Sequence, residues 1–80
     1  MKNLDLDTVA MLITPRVSRM DMGEISDCEG LFDSELWNDV PPSERGYVYC
    51  HPIYILVDQG LVPLECVGFN SMRHNLYRKK

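Results

Sequence analysis

The residues with the greatest chemical reach in this chain are three cysteines, Cys28, Cys50 and Cys66, and two histidines, His51 and His74. Structural zinc takes four such ligands, usually in close pairs such as C-x-x-C. The chain has no such pair, and adjacent residues such as Cys50 and His51 diverge on a helix. No metal site is therefore expected. A nucleophile could be assembled on paper from Cys50 or Cys66 with His51 or His74. The sequence has no strand-turn-helix elbow and no local signature to fix such a geometry. A core this small is also a poor host for a preorganised site that excludes water. The expectation is a protein that is not an enzyme and needs no cofactor. Cys50 and Cys66 lie in the apolar stretches VYCHPIY and LECVGF and read as reduced, buried thiols. The glycines at 23, 30, 46, 60 and 68 are scattered and form neither type of phosphate-cradling loop.

Charge is more informative. The formal net charge is −4, and residues 20–44 carry eight of the twelve acids with no Lys or Arg among them. Seven of these, Asp21, Glu24, Asp27, Glu29, Asp33, Glu35 and Asp39, form a candidate acidic helical face for a protein partner with a basic surface. The competing reading is a solvated face that keeps the chain soluble. The last eight residues hold Arg73, Arg78, Lys79 and Lys80 and no acid. With His74 they form a candidate nucleic-acid contact. An acidic chain as a whole is repelled by phosphate, which makes nucleic acid the second choice.

Size and composition bound what these residues can belong to. Eighty residues and 9.2 kDa make one domain, 1–80, with 45% hydrophobic and 25% charged residues. That balance excludes collagen-like and wholly disordered chains. A domain of this length buries roughly 60% of its unfolded surface. No apolar run is long enough to span a membrane. The N-terminus has only five apolar residues in a row and acids before them, so it does not read as a signal peptide. The cytoplasm of a bacterial host is the expected location, and the odd cysteine count argues against a disulfide framework.

The elements follow from periodicity and punctuation. Residues 4–13 read as a helix capped by Asp7 and ended by Pro15, because the residue before proline avoids the α region. Ser26 and Glu29 have capping-box spacing and open a second helix, with Leu31, Phe32, Leu36 and Trp37 on its apolar face. Gly30 is a candidate break, which would leave residues 32–37 as a separate piece capped by Ser34. Pro42 or Ser43 opens a third helix to about Gln59, kinked or split near Cys50 and His51 by Pro52. Gly60 suits the left-handed position after a helix end. Residues 61–69 and 75–79 form a hairpin around a polar turn at 70–74, with Pro63 at its entry. Leu64, Cys66, Val67 and Phe69 do not alternate cleanly. An exposed hairpin edge also allows a homodimer. The prediction is a small α+β domain of winged-helix type, about three helices followed by a C-terminal β-hairpin.

Several of these residues resemble a family of small bacterial and phage proteins of unknown function. They are Leu36-Trp37, Pro42, Glu44-Arg45, Val57, Gly60, Val62-Pro63, Val67-Gly68, Asn75 and Tyr77, and the likeness covers about residues 31–80. Cys50-His51-Pro52 departs from the uninterrupted helix of that pattern. The resemblance implies a winged-helix-like fold and a phage or mobile-element origin. Together with size and acidity it suggests a small regulatory or inhibitory protein that binds another protein. One target class would be a host defence or nucleic-acid-binding complex, as for anti-CRISPR inhibitors. The alternative is a DNA-binding transcription regulator that uses the third helix and the basic hairpin.

Overall fold

The computed structural model describes residues 5–71 and 74–80. Helix α1 spans Leu6–Arg19, strand β1 Ile25–Asp27, helix α2 Ser34–Asn38 and helix α3 His51–Asp58. Strands β2, Leu64–Phe69, and β3, Asn75–Lys79, complete a three-stranded antiparallel sheet in the order β1-β3-β2. The three helices and the C-terminal hairpin are as expected; the third strand is not.

Helix α1 begins and ends differently from its sequence reading. Asp5, not Asp7, is the N-cap, and its carboxylate accepts the Thr8 N–H at 2.7 Å. Pro15 lies inside the helix rather than ending it. An interior proline costs about 3 kcal/mol through a lost hydrogen bond and a clash one turn back. Here Pro15 and Met11, whose carbonyl loses its donor, are both solvent-exposed, so water can replace the bond. Continuing the helix buries Val17 beneath Val9 and Ile13 and brings Met20 into the core. Burial of two such side chains offsets the proline. Arg16 and Arg19 in the last turn face the negative end of the helix dipole.

Residues 25–27 form a strand where sequence spacing suggests a helix start. Ser26 pairs with Tyr77, and its hydroxyl donates to the Asp27 carbonyl at 3.0 Å, so no capping box forms with Glu29. Asp27 acts instead, accepting the Gly30 N–H at 2.9 Å over a single 3-10 turn, Glu29–Leu31. The chain does break near Gly30. The following helix, α2, is capped by Asp33, whose carboxylate accepts the Glu35 N–H, and not by Ser34.

The third helical stretch is two pieces meeting at Cys50 and His51, as Pro52 suggested. Gly46–Cys50 is a wide turn in which the His51 N–H reaches the Gly46 carbonyl five residues back. Pro52 then sits in the first turn of α3, where a missing N–H is harmless. Gly60, at φ 69°, ends α3: its own N–H bonds Val57 and the Leu61 N–H bonds Leu56, the paired pattern of a Schellman motif. In the hairpin, a bulge between Cys66 and Gly68 explains the broken alternation, and Gly68 carries φ 135°.

The core lies between the helices and one sheet face. Ile13, Leu31, Ile53, Leu56, Leu64 and Tyr77 are fully buried there. Phe32, Trp37 and Tyr49 stack beside it with centroids 4.2–6.1 Å apart, so Phe32 and Trp37 are core residues.

Candidate functional site

The acidic residues are distributed over several short elements rather than along one helix. Asp21 and Glu24 lie in the turn after α1, Asp27 in β1, Glu29 in the 3-10 turn, Asp33 and Glu35 at the start of α2, and Asp39 at its end. Three of them have structural partners. Glu24 pairs with Arg16 at 2.8 Å and accepts the Asp21 N–H, and these bonds hold its carboxyl below the ordinary range. Asp27 and Asp33 cap the turns that follow them. The side chains of Asp21, Glu29, Glu35 and Asp39 are exposed and make no ion pair among the described residues.

The basic C-terminal residues behave differently. Arg78 makes two bonds to Glu65 across the β2–β3 pair, at 2.8 and 3.0 Å. The Lys79 ammonium donates to the Val17 carbonyl at 2.6 Å, tying β3 to the end of α1. His74 sits half-buried at the base of the turn, and Lys80 is exposed. Arg73 lies outside the described residues. Helix α3 exposes His51, Tyr54 and Asp58 and contains no Lys or Arg.

Arg45 is the cation that organises the acidic half. Its Nε donates to the Trp37 and Val40 carbonyls at 3.0 and 2.8 Å, and its guanidinium lies 5.2 Å from the Trp37 ring centre. It thereby satisfies carbonyls at the end of α2 while facing an aromatic surface. Tyr49 completes the arrangement by donating to the Leu36 carbonyl at 2.7 Å.

A cavity of about 480 Å³ opens between the 3-10 turn, the wide turn before α3 and the start of β3. Cys28, Cys50, His74, Asn75 and Tyr77 line it, with Glu29 and Arg45 among its polar groups. Cys28 is only 2% exposed and Cys50 is half-buried, whereas Cys66 is exposed. This corrects the expectation for Cys66: strand β2 is buried only at Leu64 and is exposed from Cys66 onward, and the buried thiol is Cys28. The Cys28 and Cys50 thiols interact at the cavity wall. That interaction, together with burial, pushes the Cys28 thiol well above its ordinary range; the same interaction holds Cys50 below its range, against the opposing effect of burial. The Tyr77 hydroxyl, bonded by the Asn75 amide at 3.3 Å, is pushed up to about 12, chiefly by burial.

The thiol pair is the feature sequence reasoning missed. Its members are far apart in the chain and have no motif spacing; the only local hint is that each adjoins a break in regular structure. Among the described residues no group of three or more His, Cys, Asp or Glu side chains is placed to hold a metal ion, and no helix is long and apolar enough to cross a membrane. In comparisons with protein-family models, curated proteins and solved structures, nothing matches the chain.

Proposed function

We propose that this chain is a winged-helix-type domain that regulates or inhibits a partner protein by binding it through its acidic half. The fold reading is supported by β1, which falls between the first two helices and pairs with the last strand, the connectivity of a helix-turn-helix core with a hairpin wing. The binding reading rests on one observation. Asp21, Glu29, Glu35 and Asp39 project charge without an ion-pair partner among the described residues, while Arg78 and Lys79 are engaged within the molecule. Unpaired surface charge of one sign steers association with a surface of the other sign. The partner is a protein with a basic surface, such as a nucleic-acid-binding or host defence complex. A phage or mobile-element origin and a bacterial cytoplasm fit the chain's size, acidity and family resemblance. The domain works by binding, without catalysis.

The DNA-binding alternative needs cations on α3 or free cations on the wing. Helix α3 has none, and two of the wing's cations are occupied. Fluorescence anisotropy with duplex DNA at low salt separates the two readings. No binding is expected. Binding that weakens steeply with salt, and that Arg73→Ala with Lys80→Ala abolishes, would transfer the function to the wing.

A further inference from the structure

The thiol pair carries an inference independent of what the acidic half binds. We infer that Cys28 and Cys50 form a dithiol modification site, in which a small hydroperoxide entering the cavity converts the two thiols into an intramolecular disulfide.

Three features of the molecule converge on this site. The two thiols line one cavity and interact there, although one comes from the residue after β1 and the other from the last position of the wide turn. Both line the same open cavity of about 480 Å³, which is large enough for a peroxide and for departing water. The wide turn that brings Cys50 there replaces ordinary helix, and such turns recur where a chain must aim a functional side chain. Burial then divides the labour. Cys50 is the more accessible thiol, and Cys28 is the more deeply buried of the two. Cys66 is exposed on β2 and does not line the cavity.

The chemistry balances without a cofactor. The Cys50 thiolate attacks one peroxide oxygen and the O–O bond breaks. The other oxygen leaves and takes up a proton, as water or an alcohol, and Cys50 becomes a sulfenic acid. Cys28 then gives up its proton toward the departing oxygen as its sulfur attacks the Cys50 sulfur. The S–O bond breaks, and hydroxide leaves as water once protonated. Two thiols have lost two electrons to one peroxide, and one S–S bond has formed.

The cleavage pattern of the chain makes the test clean. Cleavage after Arg and Lys places Cys28 in the peptide 20–45, and Cys50 with Cys66 in the peptide 46–73. In the full-length Cys66→Ser variant, a link between these peptides can only join Cys28 to Cys50. The experiment treats that variant with near-stoichiometric hydrogen peroxide, natively and in concentrated urea, and follows the peptides by non-reducing mass spectrometry. The expected result is a monomer lighter by two hydrogens, with the peptides linked at least roughly tenfold faster in the native protein than in urea. Dimedone should trap a sulfenic acid on Cys50 when Cys28 is replaced by Ser, and circular dichroism reports whether that variant is folded. Linkage no faster in native protein than in urea would overturn the inference. So would native protein that retains both thiols under peroxide, or sulfenic acid appearing on Cys28 first.

Discussion

The acidic stretch at residues 20–44 and the C-terminal hairpin are both highly charged, yet they use charge in opposite ways. In the hairpin, Arg78 clamps Glu65 on the neighbouring strand and Lys79 reaches across to the end of α1. These charges hold β3 between its neighbours and to the helix. In the acidic stretch, Glu24, Asp27 and Asp33 shape their own turns, while Asp21, Glu29, Glu35 and Asp39 are left to solvent. Charge satisfied internally supports the fold. Charge left over is available for a partner. Net charge alone does not distinguish the two cases, because the hairpin looks like the free cationic surface until its partners are located.

The comparison can be broken at several places. The largest effect is expected at the aromatic cluster that supports the acidic half. Trp37→Ala removes a buried ring stacked on Tyr49 and the surface beneath Arg45, and should cost about 3–5 kcal/mol in urea unfolding. A cost below about 1 kcal/mol would mean that the cluster does not hold the acidic half in place.

The hairpin offers the next effect. Lys79→Met keeps the stem and removes a charged donor to the Val17 carbonyl, and should cost about 1.5–3 kcal/mol. Arg78→Ala breaks an ion pair that is largely solvated on both sides, and should cost about 0–1 kcal/mol by the same measurement. If instead Asp21, Glu29, Glu35 or Asp39 proved as costly to replace as Lys79, the division between structural and available charge would fail.

Alkaline pH gives a subtler probe of the sheet between the two regions. The Tyr77 hydroxyl rises from 10.0 to about 12 on folding. Between those values the unfolded chain has lost a proton that the folded chain keeps, so stability should fall as pH rises through that window. Tyr77→Phe should reduce the slope of stability against pH there. Cys28, also raised on folding, contributes with the same sign and remains in that variant. An unchanged slope would show that the phenol is not buried as described.

Local signals made much of this fold legible. The hairpin, the division of the third helical stretch by Pro52 and the left-handed Gly60 each follow from residues acting on their immediate neighbours. The failures share a different cause. Pro15 obeys burial of Val17 and Met20 rather than its own preference. β1 is three residues long and exists because β3, at the other end of the chain, supplies its partner. The exposure of Cys66 was hidden by its apolar neighbours, because Val67 and Phe69 are themselves exposed on β2. The candidate acidic residues were legible by type. Which of them carry unpaired charge was not, because that depends on where Arg16, Gly30 and the start of α2 lie.

The central claim is tested most directly by comparing the wild-type chain with a variant carrying Lys at positions 21, 29, 35 and 39. Both are immobilised and exposed to nuclease-treated bacterial lysate at low and moderate salt, and retained proteins are identified by mass spectrometry. The expected result is a basic protein partner that the wild type retains at low salt and releases at moderate salt. The variant, with an unfolding free energy unchanged to within about 0.5 kcal/mol per substitution, should not retain it. Equal retention by both chains, or a wild-type chain that captures nucleic acid and no protein, would contradict the account.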